Sequence, residues 1–229
     1  MEQNKKITCI IPAYNEEKRV SRVLNVVIGH PLIGEVIVVN DRSNDKTLSV
    51  IRKFKKIRVI NNKKNLGKTL SVVRGLKASK NNIVLLLDAD LTNLTKKNIS
   101  DLILPVLNDK VDVTIALLGS LNIMRAIGAD SGSGQRVFNK NMLPLSKLAR
   151  LERYGLESFM NEEIIKNNYR IRIIDWKNAG CATKGEKAKS IFPFWPYVSM
   201  WIQMIKTSGF SGFILHSFQL ARLNSKNKN

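Results

Sequence analysis

Five short apolar runs follow one another through the first half of the chain, at residues 6–14, 35–41, 57–62, 81–90 and 111–117. Helical patterns lie between them, because residues 16–29 and 67–79 space their apolar side chains as a helix with one buried face does. This alternation predicts an α/β fold in which a mainly parallel sheet carries helices on both faces. Ligands of such sheets bind at the carboxyl ends of the strands.

The pattern changes in the second half of the chain. The Gly/Ser-rich residues 129–136 predict a loop that leads into two helices and a further strand at 170–176. We therefore expect one domain with two halves, residues 1–118 and 119–190, followed by an amphipathic annex at 191–229.

Composition limits the classes of protein that the chain can belong to. Of 229 residues, 44% are hydrophobic, which is enough for a sizeable core and excludes a disordered chain. The 38 Lys and Arg against 18 Asp and Glu give a formal net charge of +20, which suits anionic partners. The charge is spread evenly and forms no basic arm, so a nucleic-acid-binding protein is the weaker alternative.

Cysteine content and the N-terminus indicate the compartment. Only Cys9 and Cys181 are present, so a disulfide framework is not expected and a reducing cytoplasm is. The N-terminal residues contain no apolar signal segment, and no stretch of about 20 apolar residues predicts an ordinary membrane span.

The run at residues 83–87 ends in two carboxylates, Asp88 and Asp90. Burying two unpaired carboxylates is expensive, so we expect both at the exit of the strand. In extended chain they point to the same side and can reach one cation together. The alternative is that Asp90 caps a turn while Asp88 bonds local backbone.

Two other strand ends carry polar side chains that should meet this pair at one edge of the sheet. The first predicted strand runs out into Tyr14, Asn15 and Glu16, and the second into Asn40 and Asp41. Three such ends on one edge favour a binding site over three independent turns.

Four segments together resemble the family 2 glycosyltransferases, namely IPAYNEE (11–17), VVNDRSND (38–45), NLGKTLSVVRGL (65–76) and LLLDADL (85–91). The resemblance implies a GT-A, Rossmann-like fold whose residues 1–118 bind a nucleotide-diphosphate sugar. SGQR (133–136) and YGLE (154–157) are similar to the acceptor half of polyprenyl-phosphate glycosyltransferases and glucosyl-3-phosphoglycerate synthases. The reaction implied is sugar transfer from the nucleotide donor, assisted by Mg²⁺ or Mn²⁺.

The resemblance assigns roles to the acids at the strand ends. Asp90 is expected to hold the catalytic metal, while Asp88 reaches the ribose, or the metal through water. Carboxylate and phosphate oxygens are suited to Mg²⁺ or Mn²⁺. Asp41 is expected to accept hydrogen bonds from the nucleotide base; the alternative is an Asp that only forms a turn.

Further donor-binding residues follow from the same resemblance. Pro12, Tyr14 and Glu16 would line the pocket for base and ribose, although Glu16 could equally be an acid in the first turn of a helix. Lys68 would lie beside the phosphates; the alternative is a solvated surface lysine.

The acceptor side offers two arginines and one acid. Arg125 and Arg136 are suited to anionic groups, because a guanidinium binds phosphate through two parallel hydrogen bonds. The alternative for Arg136 is a surface arginine. Glu157 is a candidate catalytic base, or an orienting residue if the acceptor is already anionic, or simply an acid at a helix start.

One position departs from the family pattern. Related sequences often place a His before a Lys-x-x-Lys pair, where it can complete the metal shell. Here GCATKGEK (180–187) has Cys181 at that place. A thiol is a poorer ligand for Mg²⁺, which puts the third metal contact in doubt.

Residues 191–223 combine aromatic and apolar side chains with Gln and Lys, which fits an interfacial pair of helices better than a membrane span. Contact with an anionic membrane surface is one reading, and packing against the protein itself or a second subunit is the other.

We therefore expect a glycosyltransferase that moves a sugar to a phosphate-bearing acceptor, with polyprenyl phosphate at the cytoplasmic membrane face as one candidate. The runner-up uses a small soluble acceptor such as phosphoglycerate. A sugar-phosphate nucleotidyltransferase would carry a Gly-rich basic loop after the first strand, where this chain has PAYNEEKR (12–19).

Overall fold

The computed structural model describes residues 6–118, 131–151, 155–181 and 215–226. Predicted residues Arg125 and Tyr154, and residues 191–214 of the annex, lie outside these ranges. The strands are β1 Ile7–Ala13, β2 Ile33–Asn40, β3 Arg58–Asn61, β4 Ile83–Leu86, β5 Leu91–Thr92, β6 Val113–Leu118, β7 Arg136–Asn139, β8 Ile171–Trp176 and β9 Gly180–Cys181. The helices are α1 Val20–Val27, α2 Thr47–Ile51, α3 Lys68–Ala78, α4 Lys96–Leu107, α5 Leu145–Leu148, α6 Leu156–Lys166 and α7 at 215–226.

A seven-stranded sheet in the order β3-β2-β1-β4-β7-β6-β8 forms the centre of the molecule. Its pairs β1–β2, β2–β3, β1–β4 and β6–β8 are parallel, whereas β7 runs antiparallel to both of its neighbours. The predicted mainly parallel sheet is therefore confirmed. Arg136, the first residue of β7, pairs with Leu86, the last residue of β4, so the loop before β7 enters at the carboxyl edge of the parallel strands.

The core has two layers because the side chains of each strand alternate between the faces of the sheet. Along β1, Ile7, Cys9 and Ile11 join the cluster that contains the buried residues of α1 and α4, while Ile10 joins the cluster of α3 and α6. The helices predicted around residues 16–29 and 67–79 are confirmed as α1 and α3.

Helix α7 packs onto the domain. Leu220 is fully buried in the cluster of α3 and α6, and the side-chain oxygen of Asn224 accepts a hydrogen bond from the backbone N–H of Ile173 at 2.9 Å. Phe218 stays 57% exposed. Within the described ranges, no helix combines the length and apolar character needed to cross a membrane.

Candidate functional site

Asp88 and Asp90 lie just beyond the end of β4, together with a cysteine from a distant part of the chain. The short strand β5 begins at Leu91 and pairs antiparallel with β9, which sets Cys181 opposite Leu91. One ligand atom from each of Asp88, Asp90 and Cys181 lies within 4.8 Å of the other two. The two acids therefore stand where one cation can reach both, and Cys181 stands with them.

This arrangement fits a divalent ion in size and in chemistry. Two ligand atoms on opposite sides of one ion are roughly 4–5 Å apart, since each bond is about 2.0–2.6 Å long. The 4.8 Å limit on the three ligand atoms is compatible with that spacing. Carboxylate oxygens suit hard ions, while the sulfur adds a softer ligand.

Lys68, the first residue of α3, bridges this cluster to the second half of the chain. Its Nζ atom lies 2.6 Å from Oδ1 of Asp88 and 2.8 Å from Oε1 of Glu157. Burial by itself lowers the pKa of Lys68, but the charges and hydrogen bonds of Asp88 and Glu157 outweigh it and raise the pKa above its usual value. Lys68 is thus a paired cation between two acids, and the reading as a solvated surface lysine is wrong.

Residues of the loop before β7 contact Asp88 and approach Lys68 closely. The side-chain amide of Gln135 donates to Oδ2 of Asp88 at 2.7 Å, and its oxygen accepts from the hydroxyl of Ser133 at 3.1 Å. A Cβ atom on Gly134 would lie 2.6 Å from Nζ of Lys68 and 3.1 Å from Oδ2 of Asp88. Only a glycine leaves room for the Lys68–Asp88 contact as it stands.

Asp41, directly after β2, uses both carboxylate oxygens to hold the loop that leads into α3. Oδ1 accepts from the side-chain amide of Asn62 and from the backbone N–H of Leu66, each at 2.8 Å. Oδ2 accepts from the backbone N–H of Gly67 at 2.8 Å. Because Gly67 is followed by the residue that contacts Asp88, Asp41 lies on the same edge of the sheet as the acidic pair.

The loops after β1 and β2 are joined by reciprocal hydrogen bonds. The backbone N–H of Asn15 donates to the Ser43 hydroxyl at 3.0 Å, and the side-chain oxygen of Asn15 accepts from the N–H of Asn44 at 2.9 Å. Asn15 has a φ of +56°, a left-handed conformation that Asn adopts more readily than most residues. The loop that carries Tyr14 is therefore fixed in place.

Two of the three predicted pocket residues, Tyr14 and Glu16, lie in this loop and differ in exposure. Tyr14 is 44% exposed, so its ring is accessible to a stacking partner. Glu16 is buried, and its carboxylate accepts from Nε of Arg19 at 2.7 Å. The alternative of a first-turn helix acid is wrong for Glu16, because α1 begins at Val20. Pro12, within β1, is partly buried.

Arg136 is fully buried rather than at the surface, so the surface reading of this residue is wrong. Its guanidinium donates to the carbonyl oxygens of Ser133 and Ser131 at 2.8 and 3.2 Å, and to the side-chain oxygen of Asn161 at 2.7 Å. Arg136 therefore ties the loop before β7 to α6. Its assignment as a phosphate ligand stays a prediction.

Glu157 lies in the first turn of α6 and is also one of the two partners of Lys68. Glu157 therefore lies at a helix start and also beside Lys68 at the candidate site. Its role as base or orienting residue stays a prediction.

Three further residues contact or closely approach Lys68, Asp88 or Arg136. Gln135, Gly134 and Asn161 were not assigned individual roles, although the first two lie within the quoted SGQR segment. Asn161 is one turn after Glu157 on α6, so its spacing could have pointed to a shared helix face.

Comparison with known proteins identifies relatives of this chain by sequence. The model of glycosyl transferase family 2 matches residues 8–144, more than half of the chain. The dolichyl-phosphate beta-glucosyltransferase ALG5C of Trichomonas vaginalis is 34% identical over 96 residues, 36% of this chain and 28% of the relative. The 4,4'-diaponeurosporenoate glycosyltransferase of Staphylococcus aureus (strain bovine RF122 / ET3-1) is 36% identical over 104 residues, 44% and 28% of the two chains. The chain thus spans less than a third of the length of these curated relatives.

Solved structures extend the similarity of fold to most of the chain. Glucosyl-3-phosphoglycerate synthase from Mycobacterium tuberculosis, in complex with Mn²⁺, UDP and glucosyl-3-phosphoglycerate, superimposes with a TM-score of 0.69 at 20% identity. That match covers 89% of this chain and 78% of the other. S. aureus TarS 1-349 gives a TM-score of 0.63 at 19% identity and covers 96% and 74% of the two chains.

These similarities agree with the geometry at the sheet edge. The central sheet, the helices on both faces and the acidic pair after β4 correspond to the GT-A, Rossmann-like fold expected from the sequence. The chain belongs to glycosyl transferase family 2.

Proposed function

We propose that this protein transfers a sugar from a nucleoside-diphosphate sugar to a phosphate-bearing acceptor, with a divalent ion held at Asp88 and Asp90. The observation that carries the proposal is the clustering of Asp88, Asp90 and Cys181 within 4.8 Å, with the Lys68 amine beside Asp88. A diphosphate–metal complex needs acidic ligands for its ion and a positive charge beside its phosphate oxygens. This cluster offers both.

The chain's own residues divide the work of binding the donor. Asp88 and Asp90 would hold the ion, and a bound divalent ion supplies the charge that neutralises a diphosphate leaving group. Lys68, at the start of α3, would turn its ammonium from Asp88 towards the phosphate oxygens. Tyr14 and Pro12 would contact the base and ribose. Asp41 would contribute indirectly, by fixing the loop that leads into α3.

The acceptor side is proposed to recognise an anion. Glu157 pairs with Lys68 at 2.8 Å, so its carboxylate is held by a cation at the boundary between the two halves. An acceptor phosphate is already ionised at neutral pH and needs no base, which leaves Glu157 to position Lys68 and the acceptor. Arg125 and Arg136 stay candidates for the acceptor's negative charge.

The acceptor itself is proposed to be lipid-linked, with polyprenyl phosphate as the chemical class. The support is the sequence similarity to a dolichyl-phosphate glucosyltransferase, together with the net charge of +20, which favours an anionic membrane surface. The proposed place of action is the cytoplasmic face of a membrane. Phosphoglycerate is the alternative acceptor, suggested by the fold neighbour that synthesises glucosyl-3-phosphoglycerate.

A thermal-shift panel of nucleoside diphosphates, each with and without Mn²⁺, tests the donor site. We expect one nucleotide to raise Tm in a metal-dependent way, and Asp90→Ala to abolish the metal-dependent part while leaving the fold intact. Asp101→Ala is the matched control, because Asp101 pairs with Lys97 on the surface of α4. A metal-dependent rise that survives in Asp90→Ala would contradict the assignment.

A transfer assay with the nucleotide-sugar chosen by that panel separates the acceptors. One arm offers a short polyprenyl phosphate in mixed vesicles and the other offers phosphoglycerate in solution. The proposal expects product in the first arm. Product in the second arm alone would contradict the lipid acceptor and support phosphoglycerate. In that case the protein should float equally with anionic and with neutral vesicles.

A further inference from the structure

Cys181 brings a sulfur atom to ligands that are otherwise carboxylate oxygens. Its Sγ atom lies within 4.8 Å of oxygens of both Asp88 and Asp90. Backbone pairing sets this position, since Cys181 is opposite Leu91, the residue directly after Asp90. A second contact supports the pairing, because the Thr92 hydroxyl donates to the carbonyl of Gly180 at 3.2 Å.

Sulfur and oxygen ligands choose different ions. Mg²⁺ prefers oxygen ligands and keeps several of its waters, so a thiolate adds little to its affinity. Zn²⁺ and Co²⁺ accept thiolate together with carboxylate, and both stand above Mn²⁺ in the order of affinity for divalent ions. A site with two carboxylates and one sulfur therefore discriminates between these ions more strongly than a site made of oxygen alone.

We propose that Cys181 is the third protein ligand of the ion held by Asp88 and Asp90, and that it makes the site selective for Zn²⁺ and Co²⁺ over Mg²⁺. On binding, the S–H bond breaks, the sulfur electron pair forms the bond to the ion, and the proton goes to solvent. This inference deepens the proposed function and rests on it, because the two carboxylates must hold the ion first.

Cobalt is the probe that reports on the ligand directly. The full chain is titrated with Co²⁺ in the presence of UDP, and the absorption spectrum is recorded. We expect a sulfur-to-cobalt charge-transfer band in the wild type and its loss in Cys181→Ser. The remaining thiol of the variant, Cys9, is fully buried in the core and therefore contributes no charge-transfer band.

Affinities measured in the same titrations test the selectivity. Cys181→Ser is expected to weaken Co²⁺ binding by about tenfold or more, because a ligand is lost. Mg²⁺ binding in the same variant is expected to change by less than about threefold, since Mg²⁺ gains little from the sulfur.

Alkylation by iodoacetamide provides a readout that needs no spectroscopic metal. Cys181 is exposed, so it reacts in the metal-free protein and the adduct is located by mass spectrometry. We expect Zn²⁺ to slow the alkylation of Cys181 and Mg²⁺ to leave its rate unchanged. Protection by Zn²⁺ should disappear in Asp90→Ala if the same ion is held by both residues.

The outcomes separate the two levels of the argument. A charge-transfer band that persists in Cys181→Ser, or a ratio of Co²⁺ to Mg²⁺ affinity that is unchanged in this variant, overturns the role of Cys181, while metal-dependent UDP binding still supports the proposed function. If the wild type binds no divalent ion in the presence of UDP, both the role of Cys181 and the proposed function are overturned. A band lost in Cys181→Ser and in Asp90→Ala establishes the proposed ligand set.

Discussion

Two acidic side chains at the same edge of the sheet, Asp41 and Asp88, differ in burial and in the donors that contact them. Asp41 is 4% exposed, and two of its three hydrogen bonds come from backbone N–H groups. The side chain of Asp88 is 24% exposed, and the ion pair and hydrogen bond described above come from the side chains of Lys68 and Gln135. Backbone donors cannot leave without unfolding the loop, whereas side-chain donors can turn away.

The difference is consistent with a structural role for Asp41 and with the proposed metal-binding role of Asp88. A buried carboxylate that accepts from two backbone N–H groups is a structural anchor, since exchanging them for a cation would leave these N–H groups unpaired. A carboxylate held by a lysine and a glutamine can exchange the lysine for a metal ion. Lys68 thus stabilises the acidic site in the absence of a ligand.

Matched amide substitutions give the largest expected effect. Asp41→Asn keeps only one acceptor oxygen for three donors, so we expect the free energy of unfolding to fall by about 2–4 kcal/mol. Asp88→Asn keeps an acceptor oxygen for only one of Gln135 and Lys68, but Lys68 stays paired with Glu157, so a smaller loss of about 1 kcal/mol is expected. Urea unfolding measures both. Equal losses in the free energy of unfolding would contradict the different roles inferred for Asp41 and Asp88.

Lys68→Met tests whether the lysine and the metal compete for Asp88. Without the ammonium, the acids around the site attract a cation more strongly, so Mn²⁺ affinity in the absence of nucleotide is expected to rise about tenfold. The free Mn²⁺ signal in electron paramagnetic resonance measures the change. Lys97→Met, which removes the exposed partner of Asp101, is the control and should leave the affinity unchanged. A weaker affinity in Lys68→Met would contradict the competition.

The smallest expected effect concerns the loop that joins β2 to α2, where Asp45 accepts from the N–H groups of Thr47 and Glu17. Burial by itself raises the pKa of Asp45, but these bonds and that of the Thr47 hydroxyl outweigh it and lower the pKa. The contribution of Asp45 to stability is therefore complete above the unfolded-state pKa of about 3.9 and is lost as pH falls through the lower folded value.

Asp45→Asn checks this through the free energy of unfolding between about pH 5 and pH 3. We expect the difference between wild type and variant to shrink towards the acid end, by less than about 1 kcal/mol. Asp101→Asn, on the surface of α4, controls for the change in net charge. A difference that is constant with pH would show that the bonds to Asp45 do not depend on its charge.

Much of the first half of the chain was predictable because its signals are local. The apolar runs became β1 to β4 and β6, and the helical patterns at residues 16–29 and 67–79 became α1 and α3. The buried apolar residues of α1 are the ones expected, whereas in α3 Val72 is buried beside Val73 and Leu76. Helix α4 was missed although Ile99, Leu102, Ile103 and Val106 repeat at helical spacing and Thr95 forms a capping box with Asn98. The signal was present there, and Pro105 near the end of the helix obscured it.

Strand β7 could not be read from sequence. It has only four residues, RVFN, after a Gly/Ser-rich loop, and it forms because β4 and β6 offer hydrogen-bonding partners on both sides. Four residues are too few for a periodic pattern to identify a strand. The consequence for the site is direct, since β7 brings Gln135 and Gly134 against Asp88.

Sequence alone determined the acids at the strand ends and the sheet edge at which they meet, because both depend on the order of apolar runs and on short motifs. Only the tertiary structure decided that the Asp41 carboxylate is held largely by backbone N–H groups while Asp88 is paired with Lys68. It also placed Cys181, which the family resemblance had set at a metal-shell position in doubt, within 4.8 Å of ligand atoms of Asp88 and Asp90. Such contacts arise from the pairing of distant strands, and the pairing of β5 with β9 leaves no periodic trace in either segment.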